Sequence, residues 1–270
     1  MTEATTPAPN RPRMSTGGRV ALTIGIVVVA LLVVGAVVTA VLLGTGRSTV
    51  EASASAEAGT SVDVRIPNGT IVLVPADDQT VSVEVQGRYL FDEPEVTVET
   101  NGGVTLVDGG CPSIGPWTAA CSITVTIAMP PALPVTVAGL NGDVTVTDLT
   151  GDLSIGTTNG RVAVDGSAGA LELSTTNGSV ELTDSESARV AASTVNGEIS
   201  LRFAASPDEV RASGTNGSIT IELTDADEAY AIDLATVNGD TDLVKVVNDP
   251  QADRTIVAHT VNGSVTVRAD

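Results

Sequence analysis

Aromatic side chains are scarce in this 270-residue sequence, which contains one Trp, two Tyr and two Phe. Hydrophobic residues nevertheless make up 42% of the chain, so a sizeable core is possible. A core made almost wholly of Val, Ile, Leu and Ala has few side chains wide enough to fill a broad interior. The composition therefore favours a thin, layered core such as that of a narrow solenoid.

Histidine and lysine are scarcer still, with one of each, His259 and Lys245. Polysaccharide cleavage needs clustered carboxylates, usually beside a basic group or a metal, and nucleophilic hydrolysis needs a Ser-His-Asp set. The sequence supplies neither pattern, and we expect His259 to be a solvated side chain on an outer face. We therefore predict a non-enzyme with no catalytic residues, and a cell-wall glycan-acting enzyme is the least favoured alternative.

Only two cysteines are present, Cys111 and Cys121. Two thiols make a poor zinc site, and no calcium-binding Gly-Gly-x-Gly-x-Asp repeat occurs. We predict no metal and no cofactor, although the acidic connector 224–229 leaves weak calcium binding open. Outside the cytoplasm the two cysteines can form a disulfide that staples the loop between them, and two free thiols are the alternative.

Basic residues are few, and acidic residues are many. The chain has 33 Asp and Glu against 13 Lys and Arg; all the acidic residues but Glu3 follow Ser48, as do nine of the basic ones. So acidic a surface makes nucleic acid an implausible partner and disfavours docking on anionic lipid. A solvated coat that keeps the domain soluble is the simplest interpretation, while attraction of divalent cations or of a basic partner stays open.

One long hydrophobic run stands near the amino terminus. Residues 20–43 contain no charge over 24 positions, which at about 1.5 Å per residue covers a hydrocarbon layer of about 30 Å. We predict a single transmembrane helix; a cleaved signal peptide is the alternative, although the run is longer than a signal core. Three arginines precede it and only Arg47 follows closely, so the amino terminus is predicted to be cytoplasmic.

The remaining segments follow from composition. Residues 1–19 are predicted to be a cytoplasmic disordered tail and residues 44–60 a flexible stalk. One extracellular domain then spans 61–270. The predicted location is a bacterial cell membrane, with a single pass and the carboxyl-terminal domain outside.

A recurring Asn-Gly dipeptide divides that domain into about nine repeats. Between Asn141 and Asn262 the spacings are 18, 18, 19, 20, 22 and 24 residues, which indicates a repeat architecture. The dipeptides occur at Asn68 and Gly69, Asn101 and Gly102, Asn141 and Gly142, Asn159 and Gly160, Asn177 and Gly178, Asn196 and Gly197, Asn216 and Gly217, Asn238 and Gly239, and Asn262 and Gly263.

Aliphatic residues keep fixed positions around each corner, six and four residues before the Asn and three and five after it. Around Asn159 these are Leu153, Ile155, Val162 and Val164. The pattern departs from this rule at Asn238, where the third position is Thr241, and at Asn101, where the preceding pair slips by one to Val96 and Val98.

Period-two alternation on both sides of a corner predicts two short strands, each with one buried face. Glycine is expected after Asn because at least one corner residue needs a positive φ. Each corner is either a bend in one coil of a solenoid or the loop of a β-hairpin. We favour the solenoid, in which successive coils stack, because all growth in repeat length falls in the connector opposite the corner. Threonine and asparagine side chains are then expected to form ladders along the corner edge.

The run "ITVTIAMPPALPVTVAGLNGDVTVTDLTGDLSIGTTNGRVAV" makes a family resemblance specific. Its V-x-I-x-x-P strand ending at Pro130, "NGDV" at 141–144 and "TTNG" at 157–160 resemble the bacterial "putative adhesin" family of β-strand-repeat proteins, a domain of unknown function of the 4097 type. The resemblance covers nearly all of residues 60–270. It implies an all-β, single-stranded, right-handed parallel β-helix-like solenoid, frequently beside a membrane anchor, and no catalytic residues.

These observations predict a membrane-anchored surface structural or adhesion-like interaction module. Its partner would be an extracellular protein or glycan, and Trp117 is the best single residue to contact it, with packing in a cap as the alternative role. A cell-envelope sensor or regulator subunit that signals through a membrane partner is the second interpretation of the sequence.

Overall fold

The structure is a computed structural model that describes residues 33–34, 48–90, 92–112 and 121–269. The chain divides into two units, Met1–Arg47 and Ser48–Asp270. Of the first unit the structure describes only Val33 and Val34, which are helical, so the predicted tail 1–19 and the rest of the predicted helix 20–43 lie outside the described residues. Among the residues that are described, no helix has the length and apolar character needed to cross a membrane.

The described part of the second unit is built from β-strands, as the period-two pattern predicts. The strands are β1 (Ser48–Glu57), β2 (Ser61–Asn68), β3 (Thr70–Pro75), β4 (Thr80–Tyr89), β5 (Glu95–Asn101), β6 (Val104–Gly110), β7 (Cys121–Met129), β8 (Val135–Asn141), β9 (Val144–Thr147), β10 (Leu153–Asn159), β11 (Val162–Asp165), β12 (Leu171–Asn177), β13 (Val180–Ser185), β14 (Arg189–Asn196), β15 (Ile199–Phe203), β16 (Glu209–Asn216), β17 (Ile219–Leu223), β18 (Ala229–Asn238), β19 (Thr241–Val244), β20 (Val247–Asn248), β21 (Thr255–Asn262) and β22 (Val265–Ala269).

The two strands that flank each stacked corner belong to different sheets. Strand β10 pairs in parallel with β8 and β12, while β11 pairs in parallel with β9 and β13. The arms of a corner therefore bond to the coils on either side of them and not to each other. This confirms the solenoid and excludes hairpins at these corners, whereas the right-handedness of the coil stays a prediction.

Two 11-stranded sheets run the length of the stack. Sheet I has the order β1-β4-β7-β3-β9-β11-β13-β15-β17-β22-β19, and sheet II has the order β20-β18-β21-β16-β14-β12-β10-β8-β2-β6-β5. Nine coils of the described chain contribute one strand to each sheet. Strands β1, β4 and β5 instead pair antiparallel at one end of the stack.

A thin aliphatic core fills the space between the sheets. The four predicted inward positions are buried in coil after coil; at Asn177, for example, Leu171, Leu173, Val180 and Leu182 are all buried. Fully burying such side chains contributes about 1.5–3 kcal/mol each, but a coil can do so only with a neighbour on both sides. The core confirms the thin interior that the scarcity of aromatic residues predicted.

The order of coils in space departs from their order in the chain at both ends. Coil β2/β3 lies between β6/β7 and β8/β9, and coil β21/β22 lies between β16/β17 and β18/β19. The simple successive stacking that we expected is therefore wrong at these two places. The second exchange has a physical reason: Thr241 of coil β18/β19 is exposed at the end of the stack, whereas in the interior its hydroxyl would lie in an aliphatic core.

The predicted flexible stalk over 44–60 is wrong where the structure describes it. Residues Ser48–Glu57 form strand β1, which pairs antiparallel with β4 over ten residues. The small Ala and Ser side chains that suggest a linker also fit an edge strand, where only Val50 is buried. Residues 44–47 lie outside the described residues.

The predicted corner at Asn101 is also wrong, because it belongs to a hairpin. Asn101 and Val104 are the last pair of the antiparallel strands β5 and β6, and the two-residue loop is Gly102 and Gly103 with φ of 61° and 88°. Two adjacent positive φ values match the right-handed twist of the flanking strands. The slipped positions of Val96 and Val98 in the sequence are the signature of this difference.

A second corner lies opposite Asn-Gly, and several of its residues adopt left-handed backbone. Asp148, Gly166, Asp184 and Lys245 each stand seven residues after a corner Asn, and all four have φ between 49° and 66°. Asp tolerates this conformation better than most residue types. The positive φ that we predicted at the Asn-Gly corner is also present, with φ between 141° and 158° at Gly69, Gly142, Gly197, Gly217, Gly239 and Gly263.

Candidate functional site

The Asn side chains of the corners meet along one edge of the stack. The Nδ2 group of each donates to Oδ1 of the Asn in the neighbouring coil at 2.7–2.9 Å. Seven bonds thus join eight side chains into what we call the asparagine ladder, which confirms the predicted Asn ladder. Its order is Asn68, Asn141, Asn159, Asn177, Asn196, Asn216, Asn262 and Asn238.

Backbone hydrogen bonds run parallel to this ladder. The N–H of each corner glycine donates to the carbonyl oxygen of the Asn in the next coil at 2.8–3.1 Å, as in the bond from Gly178 to Asn196. The seven donors are Gly69, Gly142, Gly160, Gly178, Gly197, Gly217 and Gly263. Each internal corner therefore commits both its side-chain amide and its glycine N–H to neighbouring coils.

Glycine is required at the corners by close approach and not by a common φ. A Cβ atom on Gly178 would lie 1.9 Å from the carbonyl oxygen of Gly160, and the corresponding distance is 1.8–2.3 Å from Gly142 through Gly263. Gly178 itself does not have a left-handed φ. The predicted positive φ is thus absent at Gly178, where close approach alone explains the glycine, while most of the other corner glycines combine both features.

Threonines two residues before the Asn complete the corner. The Thr175 hydroxyl donates to the carbonyl oxygen of Gly160 at 2.9 Å, and Thr194 donates in the same way to Gly178. The threonines thus bond to the backbone of the neighbouring coil, whereas we expected them to stack on one another. With these bonds the corner edge is a satisfied structural network, which gives the stack rigidity.

The first coil of the stack lacks an Asn-Gly corner and has the disulfide in its place. Cys111 and Cys121 are bonded, with Cα atoms 5.8 Å apart, as we predicted. The N–H of Cys111 donates to the carbonyl oxygen of Asn68 at 3.1 Å, which continues the pattern of the corner glycines. The cross-link thereby closes coil β6/β7. Trp117, our predicted partner contact, lies outside the described residues.

Outward carboxylates near the corners are spread along the stack. Asp143 accepts a hydrogen bond from the backbone N–H of Arg161 at 2.8 Å, so it is tied to the neighbouring coil. In the part of the chain that the structure describes, no group of three or more His, Cys, Asp and Glu side chains could hold a metal ion. His259 lies half exposed on an outer face, with Nε2 3.2 Å from Oδ2 of Asp233.

The outer face of sheet II carries a concave surface that could hold another molecule. A groove of about 410 Å³ crosses β8, β10, β12, β14 and β16. Its floor is shallow because outward positions in and next to these strands hold small side chains, among them Ser154, Ala170 and Ala191. A narrower depression of about 240 Å³ continues from it past Ser193 towards His259.

Charged side chains of both signs border this groove. Arg189 and Arg211 lie on one part of its rim, with Asp152 and Glu172 on another. The Arg211 guanidinium donates to Glu209 at 2.7 Å. We did not predict this surface, although small residues recur three and five positions before the Asn in several repeats.

The far end of the stack is open. Strand β19 pairs only with β22, and its four residues are exposed, including Leu243 and Val244. The described residues offer no strand on its other side, while β18 is covered by β20 over two residues. Successive stacking in chain order would have placed coil β21/β22 here, and the polar Thr241 is the feature of the repeat pattern that distinguishes coil β18/β19.

A buried tyrosine anchors the last coil. Tyr230 on β18 is fully buried, and its hydroxyl makes no hydrogen bond within the described residues. Burial raises the pKa of Tyr230 above its ordinary value of 10.0, and the nearby Ser206 and Arg254 oppose this shift without cancelling it. The hydroxyl is thus kept protonated in an apolar setting.

Comparison with known proteins gives one match that covers most of the chain. The family model described as Toastrack DUF4097 matches residues 55–270. None of the curated proteins compared with the chain matches it.

Similar solved structures share little sequence with this chain. A "putative cell adhesion protein" from Clostridium sporogenes is 12% identical with a TM-score of 0.41, covering 83% of this chain and 100% of that one. A "putative adhesin" from Parabacteroides merdae is 15% identical with a TM-score of 0.43, covering 84% and 97%. A "putative lipid binding protein" from Parabacteroides distasonis is 13% identical with a TM-score of 0.46, also covering 84% and 97%.

Proposed function

The chain belongs to the Toastrack DUF4097 family, and from that premise we propose that residues 48–270 act as an interaction module on the outer surface of a bacterial cell. The groove across sheet II carries this proposal. It extends over five consecutive coils, and the hydrogen-bonded corners hold those coils in fixed register. A preformed surface loses little conformational entropy when a partner binds to it.

The character of the groove indicates an extended partner, an extracellular protein segment or a glycan. The floor holds small hydroxyl and methyl groups, and the rim holds guanidinium and carboxylate groups on different strands. An extended chain that lies across the coils can contact several strands at once. Small contacts repeated along a rigid surface add up in affinity without a deep pocket.

Attachment to the membrane is the second part of the proposal. The apolar run over 20–43 supports a single-pass anchor, and the arginines before it support a cytoplasmic amino terminus. The domain would then be displayed outside the cell. Protease added to intact cells is expected to degrade the domain and to leave the amino-terminal residues protected; the reverse pattern would contradict this topology.

A non-enzymatic role is the third part. The outward acid Asp143 bonds to the backbone of a neighbouring coil, and His259 lies beside the exposed carboxylate of Asp233. Turnover of a cell-wall polysaccharide by the purified chain would contradict this part if the change of one acidic residue abolished it without unfolding the protein.

The decisive experiment compares two matched arginine substitutions in the full-length protein. Ala191→Arg fills the groove, while Ala163→Arg places the same side chain on the outer face of sheet I, and both alanines are half-buried strand residues. On cell-surface and glycan-array binding, we expect Ala191→Arg to lose about tenfold or more in affinity, a change of about 1.4 kcal/mol. Ala163→Arg should bind like the wild type. Equal binding by both variants, with thermal unfolding unchanged, would refute the groove as the binding surface.

A further inference from the structure

Asn-Gly dipeptides can undergo a spontaneous reaction that needs only water. The glycine nitrogen attacks Cγ of the preceding asparagine, which it can approach because glycine has no Cβ. A bond forms between this nitrogen and Cγ, the bond from Cγ to Nδ2 breaks, and ammonia leaves with the proton that the glycine nitrogen gives up. Water then opens the succinimide ring at either carbonyl carbon and leaves aspartate or isoaspartate.

Exposure to solvent does not distinguish the nine Asn-Gly dipeptides of this chain. Asn101 is exposed, and so are seven of the eight asparagines in the ladder, for example Asn177 and Asn196. A ranking by accessibility would therefore treat nearly all of them alike. Their hydrogen bonds separate them instead.

In the internal corners the nucleophile and the leaving group are both occupied. At Asn177 the leaving group Nδ2 donates to Asn159 at 2.8 Å, and the N–H of Gly178 donates to Asn196 at 2.9 Å. Ring closure also requires rotation about the Asn Cα–C bond, in a strand paired on both sides. Reaction there needs a local opening that breaks several bonds at once.

The dipeptide at Asn101 has none of these restraints on its nucleophile. It forms the tip of the β5/β6 hairpin, and β5 is the edge strand of sheet II. The N–H of Gly102 makes no hydrogen bond within the described residues, and space is open within 4 Å of where its Cβ would lie. The Asn101 side chain makes one long contact, 3.5 Å from Nδ2 to Glu99. Thr60 holds the tip only through the carbonyl oxygen of Gly103.

We propose that Asn101 is a site of spontaneous deamidation in the folded protein, ahead of the eight asparagines of the ladder. The two hydrogen bonds that must break at each internal corner slow the reaction there by roughly 5- to 100-fold relative to Asn101.

Asn238 ranks second by the same criteria. Its Nδ2 donates to Asn262 at 2.8 Å, as in the other corners. However, the N–H of Gly239 has no backbone partner among the described residues, because its coil is the last in the stack. One of the two restraints is missing there, so its rate falls between that of Asn101 and those of the internal corners.

The product changes the capped end of the stack. Deamidation adds a negative charge next to Glu99, and isoaspartate adds one backbone atom to a turn whose length sets the register of β5 on β6. Because Thr100 donates to the carbonyl oxygen of Glu57 at 2.6 Å, a shift of β5 reaches the end of strand β1. The modification thereby loosens the cap in protein that has aged.

Peptide mapping by mass spectrometry tests the proposal on the full-length chain. The protein is incubated in mildly alkaline buffer, digested at intervals, and each Asn-Gly peptide is scored for conversion of amide to acid and for isoaspartate. We expect Asn101 to react first, Asn238 second and the seven internal corners last. The Asn101→Gln variant should lose the early product and leave the other rates unchanged.

The same chain, reduced and unfolded in denaturant, is the control. All nine dipeptides should then react at similar rates, because the bonds that separate them are gone. The proposal is overturned if an internal corner of the folded protein reacts as early as Asn101. It is also overturned if Asn101 stays intact in the folded protein while the unfolded chain converts it.

Discussion

The strand edges at the two ends of the stack are covered in different ways. At one end, antiparallel strands β1, β4 and β5 cover the sheets, and a disulfide closes the first coil. At the other end, β19 presents an exposed strand edge, and among the described residues only β20 and the buried Tyr230 give cover. Since every coil needs a neighbour to bury its aliphatic side chains, the first end is predicted to be the more stable.

The difference between the two ends shows how a stack of similar repeats is terminated. Inside the stack one corner design suffices, because each coil offers its neighbour the same Asn, Gly and Thr groups. At an end of the stack these groups have no neighbouring coil to bond to. The sequence pattern must change there, or the strand edge stays open. The coil with the poorest core, the one with Thr241, lies at the open end, where a polar side chain is least costly.

The largest effect should come from matched leucine substitutions in an interior coil and in the end coil. Leu182 and Leu243 occupy the same repeat position, five residues after a corner Asn, but Leu182 is 0% exposed and Leu243 is 42% exposed. Leu182→Ala should lower the free energy of unfolding by about 2–5 kcal/mol. Leu243→Ala should change it by less than about 0.5 kcal/mol. Chemical denaturation measures both, and similar losses would mean that the end coil is packed like the interior.

Removal of the disulfide should come next. The double change Cys111→Ala and Cys121→Ala opens a short loop and is expected to cost about 2–4 kcal/mol. The loss should be local, because coils interact only with their neighbours. Hydrogen exchange should therefore quicken in β6 and β7 and stay unchanged in β21 and β22. Uniform acceleration along the whole stack would contradict the independence of the two ends.

Two alanine substitutions test whether close approach between coils explains the glycine at each corner. Gly178→Ala places a methyl group 1.9 Å from a backbone carbonyl oxygen, and we expect it to destabilise the protein by about 1–3 kcal/mol. Gly156→Ala is the control, since a Cβ there lies 3.4 Å from the Ser174 hydroxyl. It should be neutral or stabilising by up to about 1 kcal/mol through the unfolded chain. If both changes were neutral in thermal unfolding, steric contact would not explain the corner glycines.

The smallest effect concerns Tyr230 at the open end. Above a pH of 10.0 the unfolded chain begins to ionise this tyrosine while the folded chain keeps it neutral, so stability falls as the pH rises. Tyr230→Phe should remove that fall and, by removing an unpaired hydroxyl, stabilise the protein by about 1 kcal/mol at neutral pH. Denaturation midpoints across this pH range measure it.

Much of the interior could be predicted from local pattern. The inward positions around Asn159 and Asn177 follow from alternation, and the ladder of Asn side chains follows from a corner that recurs at a constant place. Asn101 shows where this reasoning fails. Its Asn-Gly dipeptide is the same as the others, but the flanking residues form a hairpin. In the sequence this difference is visible only as the one-residue shift of Val96 and Val98.

The repeat, the two strands of each coil, the buried side chains and the thin aliphatic core could all be predicted from local pattern, because they depend on residues close together in the chain. The order of the coils, the antiparallel cap, the use of β1 in place of a stalk and the groove on sheet II became visible only in the folded stack. These features depend on which coils are neighbours in the stack, and coils with nearly identical inward residues pack on one another almost equally well. The choice among them is set by the ends and by the one coil with a polar core position, which is a property of the whole stack and not of any one repeat.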